Sequence, residues 1–144
     1  MSRRKGRILA FQALYAYEAG GGTLEEVAAF PWVDGSREGG TADADERAFA
    51  GLLVSGTVEH LAEIDREIKK YLLPSWDFTR INRVSLAVIR MSTYVLLYQK
   101  DIPPSIVIDE AVDIAKEFGV DDSYKFVNGL LDALSKSPEA TSTG

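Results

Sequence analysis

The sequence predicts an all-α fold, a compact bundle of about seven helices, and three observations predict it. Apolar residues recur at three- and four-residue intervals through most of the chain, the spacing of one helix face. Alternating strand-like patterns are weak throughout. Glycine, proline and capping residues fall between the periodic segments, where helices need to stop and start.

The first helix runs from about Arg3 to Ala19 and is ended by Gly20-Gly21-Gly22. A short helix from about Leu24 to Phe30 follows, with Thr23 and Glu26 spaced as a capping box. Pro31 to Ala42 is rich in Gly, Asp and Ser and reads as an exposed loop. A helical pattern resumes from Asp43 to Leu73, with a break or bend expected near Gly56, and Pro74 stops it. The next helix spans about Asn82 to Gln99, with Val84, Ala87, Val88, Met91, Val95 and Leu96 on its apolar side. Ile102-Pro103-Pro104 closes that segment. Pro104 or Ser105 opens a helix with the stripe Ile108, Ala111, Val112 and Ala115, ending at Phe118-Gly119. The last helix begins at Asp121 or Asp122 and buries Phe126, Val127, Leu130, Leu131 and Leu134. Residues 1–136 therefore read as a single domain, and 137–144 as a disordered polar tail. No internal repeat is visible.

Composition narrows the function. The 144 residues suffice to bury about two-thirds of the unfolded surface. No apolar run approaches the length of a membrane span, and Gln12, Tyr15, Tyr17 and Glu18 interrupt any signal-peptide pattern after the basic start. The chain thus reads as cytoplasmic, without membrane attachment. Cysteine is absent, which removes disulfides, thiolate catalysis and zinc-thiolate sites, and the single histidine, His60, removes His-rich metal clusters. Neither a phosphate-binding Gly-rich loop, a nucleophile elbow nor a metalloprotease helix motif is present, so no cofactor and no catalytic residue are expected.

The net charge of −6 argues at first against nucleic acid, but its distribution reverses the argument. Arg3, Arg4, Lys5 and Arg7 all precede the first acid, Glu18, and the remainder is strongly acidic. Cations at a helix N-terminus oppose the macrodipole, at about 0.3–1 kcal/mol each when exposed. A sequence optimised for stability alone would avoid them. Arg4, Ile8, Phe11 and Tyr15 share one side of this helix, so charge leads toward aromatic surface, a pairing suited to single-stranded RNA. The same residues also fit an ordinary basic start, with Phe11 and Tyr15 packed in the core; spacing does not separate the two, but Phe11 reads as core rather than RNA contact.

Other polar residues admit plainer readings. Asp109 with Asp113, and Glu110 with Glu117, lie on an acidic amphipathic face that suits solvent or a basic protein better than catalysis. Arg90, inside an apolar run, fits a phosphate contact or an ion pair with an acid on another helix such as Glu110, and the ion pair is preferred. His60 reads as a surface or helix-end residue. Gly129 costs about 1 kcal/mol within a helix, which close approach of a helix or an RNA backbone would explain. Asp121-Asp122-Ser123 reads as helix capping.

Two segments resemble the NusB family of transcription antitermination factors. Arg3-Arg4-Lys5-Gly6-Arg7 with Gln12-Ala13-Leu14-Tyr15 is similar to its arginine-rich first helix. Asp101-Ile102-Pro103, Ile108-Asp109-Glu110-Ala111-Val112, Ala115-Lys116, Phe118-Gly119, Ser123 and Lys125-Phe126-Val127-Asn128-Gly129-Leu130 resemble its C-terminal signature. Asp109, Val95 and Ser85 depart from the family's usual residues. The resemblance implies two packed three-helix subdomains. It implies binding of boxA-type RNA from ribosomal RNA transcripts together with NusE, a small-subunit ribosomal protein. The setting would be an antitermination complex with RNA polymerase, NusA and NusG. Carried over by position, RNA contact falls on Arg3, Arg4, Lys5, Arg7 and Tyr15, and on Phe118, Asp122, Lys125 and Phe126. Contact with NusE falls on Glu110 and Asp113. Two alternatives remain: a protein-only scaffold or homodimer that masks its basic helix until a partner binds, and a fragment of an RNA methyltransferase, which requires a further cofactor-binding domain.

Overall fold

A computed structural model describes residues 2–31, 44–72, 74 and 77–141. Among them there is no strand, and no helix is long and apolar enough to cross a membrane. The chain divides into two compact units, Met1–Glu59 and His60–Gly144. The eight described α-helices are close to the seven or so expected.

The first unit holds α1 (Arg3–Glu18), α2 (Leu24–Val27) and α3 (Ala44–Glu59). Ser2 caps α1 by accepting the Lys5 N–H at 3.2 Å. Gly20, at φ +80°, closes its other end in a conformation that costs other residues. The capping box of α2 forms in full, Thr23 Oγ1 accepting from Glu26 N–H and Glu26 Oε1 from Thr23 N–H. That helix ends three residues earlier than the pattern predicts. Phe30 sits at φ +52° with its ring 1% exposed, so the burial of a phenyl group, about 1.5–3 kcal/mol, offsets about 1–2 kcal/mol of left-handed backbone. Leu9, Phe11, Leu14, Val27, Leu53 and Val54 complete this core. The expected loop from Pro31 to Ala42 lies outside the described residues beyond Pro31 itself.

The second unit contains α4 (Leu61–Lys70), a 3₁₀ turn (Phe78–Arg80), α5 (Arg83–Tyr98), α6 (Pro104–Phe118), α7 (Ser123–Ser135) and the single-turn α8 (Pro138–Thr141). The expected break near Gly56 falls instead at His60; Gly56 is buried inside α3. Lys69 and Lys70 complement the dipole in the last turn of α4. Asn82 caps α5, its Oδ1 accepting from Val84 and Ser85 N–H at 3.0 and 3.2 Å. Twelve of the sixteen residues of α5 are buried, because α4, α6, α7 and α8 all pack against it. The buried stripe of α6 is Val107, Ala111, Ile114 and Ala115, with Ile108 and Val112 only half-buried. This helix is therefore rotated by about one residue from the expected register.

Two readings are corrected at the ends of α7. Asp122 occupies the N-cap position but makes no capping hydrogen bond, and its carboxylate faces Lys125 Nζ at 3.7 Å instead. At the other end, Ser137 is buried and its hydroxyl caps α8 by accepting the Ala140 N–H at 3.1 Å. That helical turn lies in the stretch expected to be a disordered tail; residues 142–144 are outside the described set.

Candidate nucleic-acid interface

In the first unit, α1 presents its cations to solvent. Arg3, Arg4 and Lys5 are exposed, Arg7 is half-buried, and the first turn contains no acid. Two of them, Arg3 and Arg7, rest on a residue far away in sequence. The Phe49 ring of α3 lies beneath both guanidinium groups of the i, i+4 pair, with Arg3 Cζ at 5.6 Å and Arg7 Cζ at 5.7 Å from its centroid. Arginine stacked on a ring keeps its charge while losing freedom of its long stem.

Gly6 makes this approach possible. It is buried, and a Cβ there would stand 2.5 Å from Phe49 Cδ2 and 3.4 Å from the Glu46 carbonyl oxygen. Glu46, buried in the first turn of α3, accepts the Ser2 N–H on Oε2 at 2.6 Å and so ties the entry of α1 to α3. In the row Arg4, Ile8, Phe11, Tyr15, Phe11 is 3% exposed and belongs to the core, as the sequence reading has it, whereas Tyr15 is 40% exposed. Its ring lies about 15 Å along the helix from the basic turn, at 1.5 Å per residue. The arrangement offers phosphate-directed charge at one end and one aromatic face farther along.

In the second unit, Phe118 ends α6, and Asp122, Lys125 and Phe126 start α7. Asp122 and Lys125 are exposed and form an i, i+3 pair; Phe118 and Phe126 are half-buried. Gly119 allows the tight connection between the two helices, since a Cβ would stand 2.5 Å from both the Ala115 carbonyl oxygen and Ser123 Oγ. Lys116 Nζ lies 5.0 Å from the centre of the Tyr124 ring. On α6, Asp113 is exposed and Glu110 half-buried.

Arg90 and His60 take partners within the second unit. Arg90 makes a two-pronged ion pair with Asp65 of α4, Nε to Oδ1 and Nη2 to Oδ2 both at 2.9 Å, and its guanidinium lies 5.7 Å from the Phe78 ring centre. The sequence predicts an internal ion pair there, but the acid that takes both prongs is Asp65 rather than Glu110. His60 precedes α4 and stacks on Tyr98 with ring centroids 4.1 Å apart. Gly129 is exposed, and a methyl added there would meet nothing within 4 Å, so the close helix approach expected there does not occur among the described residues. No group of three His, Cys, Asp or Glu side chains among the described residues could hold a metal ion. Sequence reasoning missed Phe49 and Glu46, whose roles depend on the pairing of α1 with α3; the only local signal was their placement one turn apart on the later helix.

The model of the NusB family matches residues 4–136 of this chain. The transcription antitermination protein NusB of Treponema pallidum is 50% identical over 137 residues, covering 95% of this chain and 94% of that protein. Its counterpart from Treponema denticola is 48% identical over 134 residues, covering 93% and 96%. Among solved structures, NusB of T. maritima superposes with a TM-score of 0.80 at 36% identity, covering 95% of this chain and 92% of that one. A crystal structure of the antitermination factors NusB and NusE in complex with double-stranded RNA matches with a TM-score of 0.78 at 29% identity, covering 93% and 96%.

Proposed function

The chain belongs to the NusB family, and from that premise we propose that it is an RNA-binding transcription antitermination factor, an adaptor and not an enzyme. It binds boxA-type RNA of ribosomal RNA transcripts together with NusE and helps assemble the antitermination complex on RNA polymerase with NusA and NusG, in the cytoplasm. The observation that carries this reading is the solvent-facing set Arg3, Arg4 and Lys5 on an acid-free helix start, with Arg3 and Arg7 braced on Phe49. A solved relative's crystal contains NusB with NusE and RNA, which agrees with it.

The cations hold phosphates, and Tyr15 offers a face for a base. In the second unit Lys125 supplies charge, Phe118 and Phe126 apolar ring surface, and Asp122 a hydrogen-bond acceptor for base or ribose. NusE contacts α6 through Glu110 and Asp113, acids that suit a basic ribosomal protein.

The test is fluorescence anisotropy of boxA RNA with the protein and NusE across a salt series. Three or four phosphate contacts give a log–log slope of about −2 to −3, at about −0.7 per single-strand contact. Arg4→Glu with Lys5→Glu weakens binding by at least about tenfold and flattens the slope, while circular dichroism is unchanged. Equal affinity of the variant and the wild type would remove RNA from this surface and leave a protein-only scaffold. Phe126→Ala separately weakens binding by about 1–3 kcal/mol if its ring stacks on a base.

A further inference from the structure

Gly129 sits in the middle of α7, where glycine is the least favourable residue after proline. Other glycines of this chain have an internal reason to lack a side chain. Gly6, Gly21 and Gly119 stand against atoms that a Cβ would meet at 2.5, 3.0 and 2.5 Å, and Gly20 and Gly22 hold positive φ. Gly129 has neither reason: a Cβ would meet nothing within 4 Å, and its φ is not left-handed. Gly51 shares that open space but is half-buried, whereas Gly129 is exposed. A local rule broken without internal compensation points to close approach by something outside the chain.

Its place on the helix indicates what approaches. Gly129 follows Asp122, Lys125 and Phe126 by seven, four and three residues, so it extends the row assigned to RNA by one turn, about 6 Å beyond Lys125. Lys125 reaches Asp122 only at 3.7 Å, with both side chains mostly exposed, which leaves its ammonium able to meet a phosphate. Asn128, exposed beside Gly129, carries an amide that both donates and accepts. Among the described residues of α7 no large apolar side chain is exposed. A protein interface centres on apolar or aromatic anchors, which this face lacks. Bare helix backbone flanked by polar groups suits a ribose-phosphate strand instead.

We propose that Gly129 is a close-approach point for the RNA strand, where the missing side chain lets a ribose-phosphate segment lie against α7 one turn beyond Lys125. Gly129 has this role only if the chain binds RNA as proposed above. A methyl group there holds the strand off by about 1 Å, enough to forfeit a quarter to a half of the local van der Waals attraction. Stability and binding are therefore opposed at this one position.

The experiment is fluorescence anisotropy of boxA RNA with the full chain and saturating NusE. It compares the wild type with Gly129→Ala, Gly129→Gln and Lys125→Gln, and the melting temperature of each is measured alongside. Gly129→Ala melts about 2–5 °C higher, yet binds RNA about three- to tenfold more weakly, and the longer side chain of Gly129→Gln weakens binding further. No charge is lost at residue 129, so the log–log salt slope of both glycine variants equals that of the wild type; Lys125→Gln flattens it by about 0.7. NusE titrated without RNA binds the wild type and Gly129→Ala equally. Unaltered RNA affinity of Gly129→Ala overturns the proposal, and RNA binding itself then stands if Arg4→Glu with Lys5→Glu still weakens it. A wild type that binds no RNA removes both. A lower melting temperature for Gly129→Ala, or weaker binding of NusE alone, also overturns it, by placing the contact inside the fold or on a protein.

Discussion

Replacing Gly6 with alanine tests whether the basic helix start is held by Phe49. In an ordinary helix this substitution stabilises by about 0.8–1 kcal/mol. Here the new methyl would stand 2.5 Å from Phe49 Cδ2 and 3.2 Å from Cε2, against an optimal carbon separation of about 3.5–4.0 Å. The Glu46 carbonyl oxygen at 3.4 Å limits escape in another direction, so the ring must move by about 1 Å. Overpacking of this kind costs about 1–3 kcal/mol, and displacing the ring also loosens two cation–π contacts of about 0.5–1 kcal/mol each. After the helix gain is subtracted, Gly6→Ala destabilises by about 1–2 kcal/mol. The assay is urea unfolding of the wild type, Gly6→Ala, Phe49→Ala and the double variant. With the ring gone, the same alanine stabilises by about 1 kcal/mol, so the effect changes sign between backgrounds and the coupling is about 2–3 kcal/mol. If Gly6→Ala raised stability with Phe49 present, the argument for a glycine-dependent brace would be wrong.

Three further outcomes follow from the second unit. Asp65→Ala removes both prongs of the ion pair from the Arg90 guanidinium and lowers unfolding stability by about 2–4 kcal/mol in urea, discounted from a fully buried pair because Asp65 is partly exposed; a loss below about 0.5 kcal/mol would show that water already serves this pair. Gly129→Ala, on an open helix surface, raises stability by about 0.8–1 kcal/mol, and a fall in melting temperature would reveal a contact that the fold does not display. Burial, followed by the hydrogen bond to Glu63, pushes the Tyr98 phenol up from 10.0 to about 12. Folding therefore favours its neutral form, and that contribution is intact below pH 10 and lost as pH rises toward 12. Ultraviolet titration detects it as a late phenol ionisation that Tyr98→Phe removes, and Glu63→Gln brings it earlier.

Helix placement was legible wherever local chemistry sets it. Asn82 before an apolar run and Pro103-Pro104 after it bracket α5 to within a few residues, because a cap and a missing N–H act on their own neighbours. Phe30 was not legible, since its left-handed backbone is repaid only by a core that the chain assembles later. The break at His60 was missed for a related reason: glycine signals permission to bend, and Gly56 is buried within a helix that does not use it. The same division applies to the candidate interface. The basic run is visible in the sequence because charges cluster locally. Phe49 beneath it depends on which helices meet.

The Arg90–Asp65 tie also constrains how this sequence can drift. Lysine cannot reproduce two parallel donors lying edge-on to a carboxylate with a flat face toward Phe78, so the nearest substitution is not a neutral step. Loss of either member alone takes the charge-matched partner from a buried or half-buried ion, whereas replacing both by apolar residues is often neutral in folded proteins. The two residues are thus expected to be inherited as a unit, persisting or disappearing together along a lineage although 25 positions separate them.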